Sequence, residues 1–150
     1  ENKMFKNDNS KATGKLTVEI KNDKGIVVEK REVKNLVVDD GLEYIASRMK
    51  DTTATAMSHM AIGTGSTAAA ASDTALGSEA ARQALTSTTV TANAVAYVAS
   101  FAAGTGTGAI TEAGILNASS SGTLLCRTVF SVVNKGASDS MTITWTVTIS

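Results

Sequence analysis

Residues 140–150, "SMTITWTVTIS", constrain the fold more than any other stretch. Met141, Ile143, Trp145, Val147 and Ile149 alternate without a break with Thr142, Thr144, Thr146 and Thr148. A period of two is the period of a β-strand, so one face is apolar throughout and the other carries hydroxyls. A long strand with one apolar face needs other strands or a helix to cover that face. The rest of the chain supplies strands. "KLTVEI" (15–20) alternates, and the turn cluster "KNDKG" (21–25) joins it to "IVVEKREVKNLVV" (26–38), a hairpin expected to bulge near Glu29–Arg31. "MSHMAIG" (57–63) reads as a short strand, and residues 83–91 and 94–103 as one or two more. "GAITEAGILNA" (108–118) is another, turning at "SSSG" (119–122). "TLLCRTVFSVVN" (123–134) pairs through "KGASD" (135–139) with the alternating strand.

One segment changes period. In "DDGLEYIASRMK" (39–50), Leu42, Ile45, Ala46 and Met49 fall at i, i+3, i+4 and i+7, the spacing of one helix face. Asp40 and Glu43 have capping-box spacing, with Asp40 as the N-cap, and Arg48 and Lys50 lie at the negative end of the helix dipole. Strands every 10–15 residues with a single helix give the expected fold class: mainly β, an antiparallel, jelly-roll-like β-sandwich. The helix is expected to plug one end of it. Residues 1–14 are polar and aperiodic, so they read as a flexible N-terminal arm, with 15–150 as a single domain. With 150 residues the chain is long enough to bury a real core.

Charge narrows the function. Residues 1–50 hold 11 Lys/Arg and 9 Asp/Glu, whereas 51–150 hold 3 and 5 and are rich in Ala, Thr, Ser and Gly. The formal net charge is zero, which removes the electrostatic case for nucleic acid. The basic residues of the first part are interleaved with acids, the pattern of a solvated face. Isolated globular surfaces carry more charge than residues 51–150 provide, so this part is a candidate assembly surface. There is no apolar run long enough to span a bilayer as a helix, and "ENKMFKNDNSKATGK" has no apolar signal core. The expectation is therefore no membrane partner and a protein made in the cytoplasm.

Sites for chemistry are sparse. A phosphate loop needs GxxxxGK[ST], but the glycines of "MAIGTGSTAAAASDTALGSEAARQAL" (60–85) have no lysine near them, and "GTGTG" (104–108) is not GxGxxG. His59 is the only histidine and Cys126 the only cysteine, too few for a zinc site of His and Cys ligands. A nucleophile–His pair from His59 with Cys126 or Ser58 is formally possible. Asp39 and Asp40 lack the alternating oxygen ligands of a calcium loop and read as capping residues. Asn117-Ala118-Ser119 fits a glycosylation sequon. The expectation is no catalytic residues, no metal, no cofactor and no enzyme.

The succession "NLVVDDGLEYIASRM", "SHMAIGTGSTAAAASDTALGSE", "ITEAGILN" and "LLCRTVFSVVNKGASDSMTITWTVTIS" resembles virion structural proteins of tailed bacteriophages, over residues 35–150. Capsid decoration (cement) proteins and tail-fibre or tail-associated modules share this pattern. The resemblance implies a non-enzymatic virion protein. The first expectation is a homotrimeric cement protein bound to the major capsid protein or its neighbours, and the alternative is a tail-fibre, collar or adaptor module. It also implies that "GTGSTAAAASDTALGSE" is a shaped crossing between strands. An alanine-rich helix is the rival, though Ser66, Thr67, Ser72, Asp73 and Thr74 all compete for backbone hydrogen bonds.

Overall fold

The computed structural model describes residues 11–50 and 54–150. In chain order they form β1 (Ala12–Lys21), β2 (Val27–Val37), α1 (Asp39–Lys50), β3 (His59–Gly63), β4 (Glu79–Ala84), β5 (Ser87–Thr91), β6 (Ala94–Phe101), β7 (Gly108–Leu116), β8 (Leu124–Lys135) and β9 (Ser140–Ile149). The nine strands form one antiparallel sheet in the order β4-β3-β7-β8-β2-β1-β9-β6-β5.

The sheet curls. β2 pairs with β1 along most of its length but with β8 only through Leu36↔Arg127 and Val37↔Cys126. At that narrow join the half β5-β6-β9-β1-β2 swings over the half β8-β7-β3-β4. The two ends of the sheet are consecutive in the chain. Leu85 and Thr86 carry it from β4 to β5: Leu85 N–H donates to Ser58 on one half and Thr86 N–H to Val98 on the other. One core fills the space between, with Leu16, Trp145, Tyr97 and Phe101 from one half and Met60, Ile62, Ile115 and Phe130 from the other.

The alternating strand lies at the centre of its half. Trp145 is opposite Leu16 of β1 and Tyr97 of β6, and is fully buried with Met141 and Ile143. Ile149, at the end of the row, is 42 % exposed.

Several local expectations are corrected. Ala12, Thr13 and Gly14 belong to β1, paired with Ile149, Thr148 and Val147. The part of the expected arm from Ala12 to Gly14 is therefore strand, and residues 1–10 lie outside the described residues. The bulge expected near Glu29–Arg31 is present and falls at the adjacent Val28, because Ile20 faces Glu29 while Lys21 faces Val27. The expected strand at 83–91 is two strands, since the chain changes layers at Leu85–Thr86.

The helix also starts earlier than its spacing suggests. Leu42 N–H donates to Val38 C=O, so Val38 occupies the cap and Asp40 sits in the first turn. The packed face is rotated by one residue. Gly41 is buried, and a Cβ there would lie 2.0 Å from the Leu125 carbonyl oxygen. Tyr44 and Ile45 pack on the core, while Leu42 and Met49 are 48 % and 83 % exposed. Leu125 is an extra residue of β8, because Ile115 faces Cys126 while Leu116 faces Leu124. That bulge brings Leu125 against the helix, and only glycine lets the helix come that close.

Candidate functional site: a glycine cradle and an uncharged body

The segment from Thr64 to Ser78 is a loop, with no helix in its alanine run. It crosses the outer face of β3, β7 and β8. Beneath it Val38, Ala61, Leu116 and Leu124 form a second small apolar cluster, on which Leu76 of the loop packs. A Cβ on Gly114 would come within 2.6 Å of Leu76. The crossing is thus a third layer over part of the sheet.

The loop is tied down by a buried charge network. Glu112 on β7 and Arg127 on β8 both lie on this outer face and are almost wholly buried. The Glu112 carboxylate accepts from the backbone N–H of Gly65 (2.9 Å), Gly77 (2.9 Å) and Ser78 (2.7 Å). Arg127 donates to the same carboxylate through Nε (3.0 Å) and Nη2 (2.9 Å). It also donates to Asp73 (2.8 Å) and to the Thr67 carbonyl (3.0 Å). Asp73 accepts in turn from Ala70 N–H, and Asp39 N–H at the start of α1 donates to the Ala71 carbonyl. A Cβ on Gly65 would lie 2.4 Å from Glu112 Oε1, so the backbone reaches the carboxylate because there is no side chain in the way.

Burial alone would raise the pKa of Glu112, but the donated N–H groups of Gly77, Ser78 and Gly65 and the Arg127 guanidinium outweigh it and hold the carboxyl below its ordinary value. Asp73 follows the same balance and is also lowered, and Arg127 is raised by its two carboxylate partners against the opposing effect of burial. The glycine-rich segment therefore does what such loops do for phosphate, presenting N–H groups to an anion. The anion here is the protein's own Glu112. With both oxygens and the guanidinium engaged, the arrangement is a clamp.

Of the other candidates, Cys126 and His59 are held apart, whereas Ser58 and His59 meet. Cys126 points into the main core in the row Met60–Ile115–Cys126–Val37, and burial pushes its thiol far up. His59 belongs to the next row, His59–Leu116–Leu124, on the opposite face, so the two do not meet. Ser58 Oγ and His59 Nδ1 are 2.7 Å apart. Asn117 fastens its own turn, accepting from Thr123 N–H and donating to the Thr55 carbonyl. "GTGTG" closes the connection between β6 and β7. Among the described residues no group of three or more His, Cys, Asp or Glu is placed to hold a metal ion, and no helix is long and apolar enough to cross a membrane.

The clamp is one part of a wider pattern. Arg82 grips Glu79 and donates to the Ala118 and Ser121 carbonyls. Lys135 is buried, and its ammonium donates to the Ala102 and Asp139 carbonyls. Asp139 accepts from Gly136 N–H. Thus every Asp, Glu, Lys and Arg described after residue 54 is engaged within the fold. No known protein family, characterised protein or solved structure matches the chain.

Sequence reasoning missed Glu112 and Arg127, and read Asp73 only as a competitor for backbone hydrogen bonds. A signal was present: a lone charge inside each of the apolar runs "AITEAGIL" and "LLCRTVF". The step from Ile110 to Ala113, three positions where an unbroken strand face would step by two, also marks the irregularity that turns Glu112 outward.

Proposed function

We propose that this chain is a non-enzymatic virion structural protein, a capsid decoration or cement protein that acts by occupying the surface of an assembled phage head. The observation that carries the proposal is the inward use of charge. The centre of an assembly interface is depleted in charge and its rim is polar. Apart from Glu79, which stays exposed beside Arg82, the body after residue 54 spends its charges on internal ties, leaving a surface largely of Thr, Ser and Ala. The hairpin β1–β2, with exposed pairs such as Lys15–Glu32, supplies a charged rim. On this reading the curled sheet serves as a jelly-roll-like sandwich, a homo-oligomer sits on the major capsid protein, and the protein is found in the virion. Binding only the assembled shell would stabilise that state by mass action.

The test uses phage heads purified without the protein. They are mixed with the full chain or with a chain starting at Lys11, which leaves β1 whole, then heated while genome release is followed. The full chain is expected to bind and to delay release, and the shortened chain to protect less, because the proposal gives residues 1–10 a part in attachment. Equal protection would remove the arm from the account. Recovery in a tail fraction, at about a dozen copies per virion or fewer, would replace the head assignment with a fibre, collar or adaptor module.

A further inference from the structure

Strand edges with unpaired N–H and C=O groups invite another strand, and proteins guard them with charge, proline, bulges or cover. Among the described strands the longer unpaired edges are β4, β5 and the facing parts of β2 and β8 beyond their two-residue join, and that β2–β8 gap is bridged by Arg31, which donates to the Ser131 carbonyl. β4 carries the Glu79–Arg82 pair, and Arg82 also holds the 118–121 turn. The part of β2 that diverges from β8 carries Lys30, Arg31, Glu32 and Lys34. β5 has none of these devices. Its five residues, Ser-Thr-Thr-Val-Thr, are all exposed, it pairs regularly with β6, and it has no charge, proline or glycine.

A second observation lies on the same strand. Val90 is 70 % exposed although it continues the apolar row Val95–Val147 of the core face. Ile149, in the next row, is also only partly covered. The edge and its uncovered apolar neighbours therefore lie together at one end of the sheet.

We propose that β5 pairs antiparallel with β5 of a second copy of this chain, across a two-fold axis at Thr89. This register sets Thr89 against its own counterpart, Thr88 against Val90, and Ser87 against Thr91. No pair brings charges together, and Thr–Thr and Thr–Val neighbours are favourable cross-strand pairs. An isologous contact of this kind is self-complementary and closes as a dimer. The occupant is a second copy because the strand is neutral and fits itself in this register without a single clash of chemistry.

The experiment is sedimentation velocity on the full chain over a concentration series, with Thr89→Lys, Thr89→Glu and their equimolar mixture. The wild type is expected to dimerise. Each single variant places like charges face to face on the axis and should weaken self-association by about tenfold or more. The mixture should restore a heterodimer. A Val132→Lys control, exposed on β8, should dimerise like wild type. A monomeric wild type across the series would overturn the proposal, as would variants that dimerise unchanged or a mixture that stays monomeric. None of these results bears on head binding, which rests on the uncharged body as a whole.

Discussion

Trp145 is where sequence and structure agree most closely, and it carries a cost. The indole is buried between Leu16 and Tyr97, and its Nε1–H has no hydrogen-bond partner among the described residues. Trp145→Ala should destabilise by about 3–5 kcal/mol through the cavity it leaves. Trp145→Phe should cost clearly less, because it keeps a ring and removes an unpaired donor. Denaturant titration of both variants checks the order, and equal losses would mean that the indole N–H is satisfied. Ala92, in the tight turn between β5 and β6, has φ of 52°. A side chain is strained there, so Ala92→Gly should stabilise by about 1 kcal/mol and raise the melting midpoint by a few degrees. Asp40 is the opposite case. Read as the cap, its loss would cost about 1 kcal/mol. In the first turn it has only its interaction with the helix dipole, and Asp40→Ala should cost about 0.3 kcal/mol. A drop of several degrees in the melt would restore the cap reading.

At the scale of elements, the crossing at 64–78 depends on Arg127 and its two carboxylate partners, Glu112 and Asp73. Removing a single partner of a buried pair costs about 3–5 kcal/mol, because the other charge is left without its counter-ion. Arg127→Ala should therefore lower the melting midpoint sharply and expose residues 66–76 to proteolysis. An unchanged cleavage pattern would show that the small apolar cluster under Leu76 holds the loop alone. Acid should act at the same place. Glu112 and Asp73 have lower pKa values in the folded protein than in the unfolded chain. Their contribution is complete above the ordinary carboxylate range of about 3.9–4.3 and is lost as pH falls through the lower folded values. Amide exchange of Gly65, Gly77 and Ser78 should rise below about pH 4, ahead of the β9 amides. Simultaneous release of both would mean that the loop has no separate stability.

For the molecule as a whole, the strands were legible wherever the apolar period ran unbroken, as in Met141–Val147 and Leu16–Ile20. The helix was legible as an element. Its packed face was not, because Gly41 contributes nothing to a hydrophobic pattern and marks the close contact only once Leu125 is seen to bulge toward it. Layer changes were hidden for a similar reason: Leu85–Thr86 turns the chain without glycine or proline. The glycine loop was legible as irregular, since its Ser, Thr and Asp residues disfavour helix. Its partner was not, because Glu112 and Arg127 are remote in sequence from the glycines they fix. What this architecture does with charge is the central claim: the body ties most of its few charges into the fold, with Glu79 left exposed beside Arg82, and under the proposed function its surface would bind by shape and uncharged contact. Ion pairs between exposed charges weaken with salt, because the screening length falls from about 10 Å at 0.1 M to about 3 Å at 1 M. Contacts between uncharged surfaces do not depend on that screening. The most direct measurement is therefore co-sedimentation of the protein with heads lacking it, at 0.1 M and 1 M salt. The account predicts nearly the same bound fraction at both. Binding that collapses at high salt would place the contact on the charged β1–β2 hairpin and contradict an uncharged assembly surface.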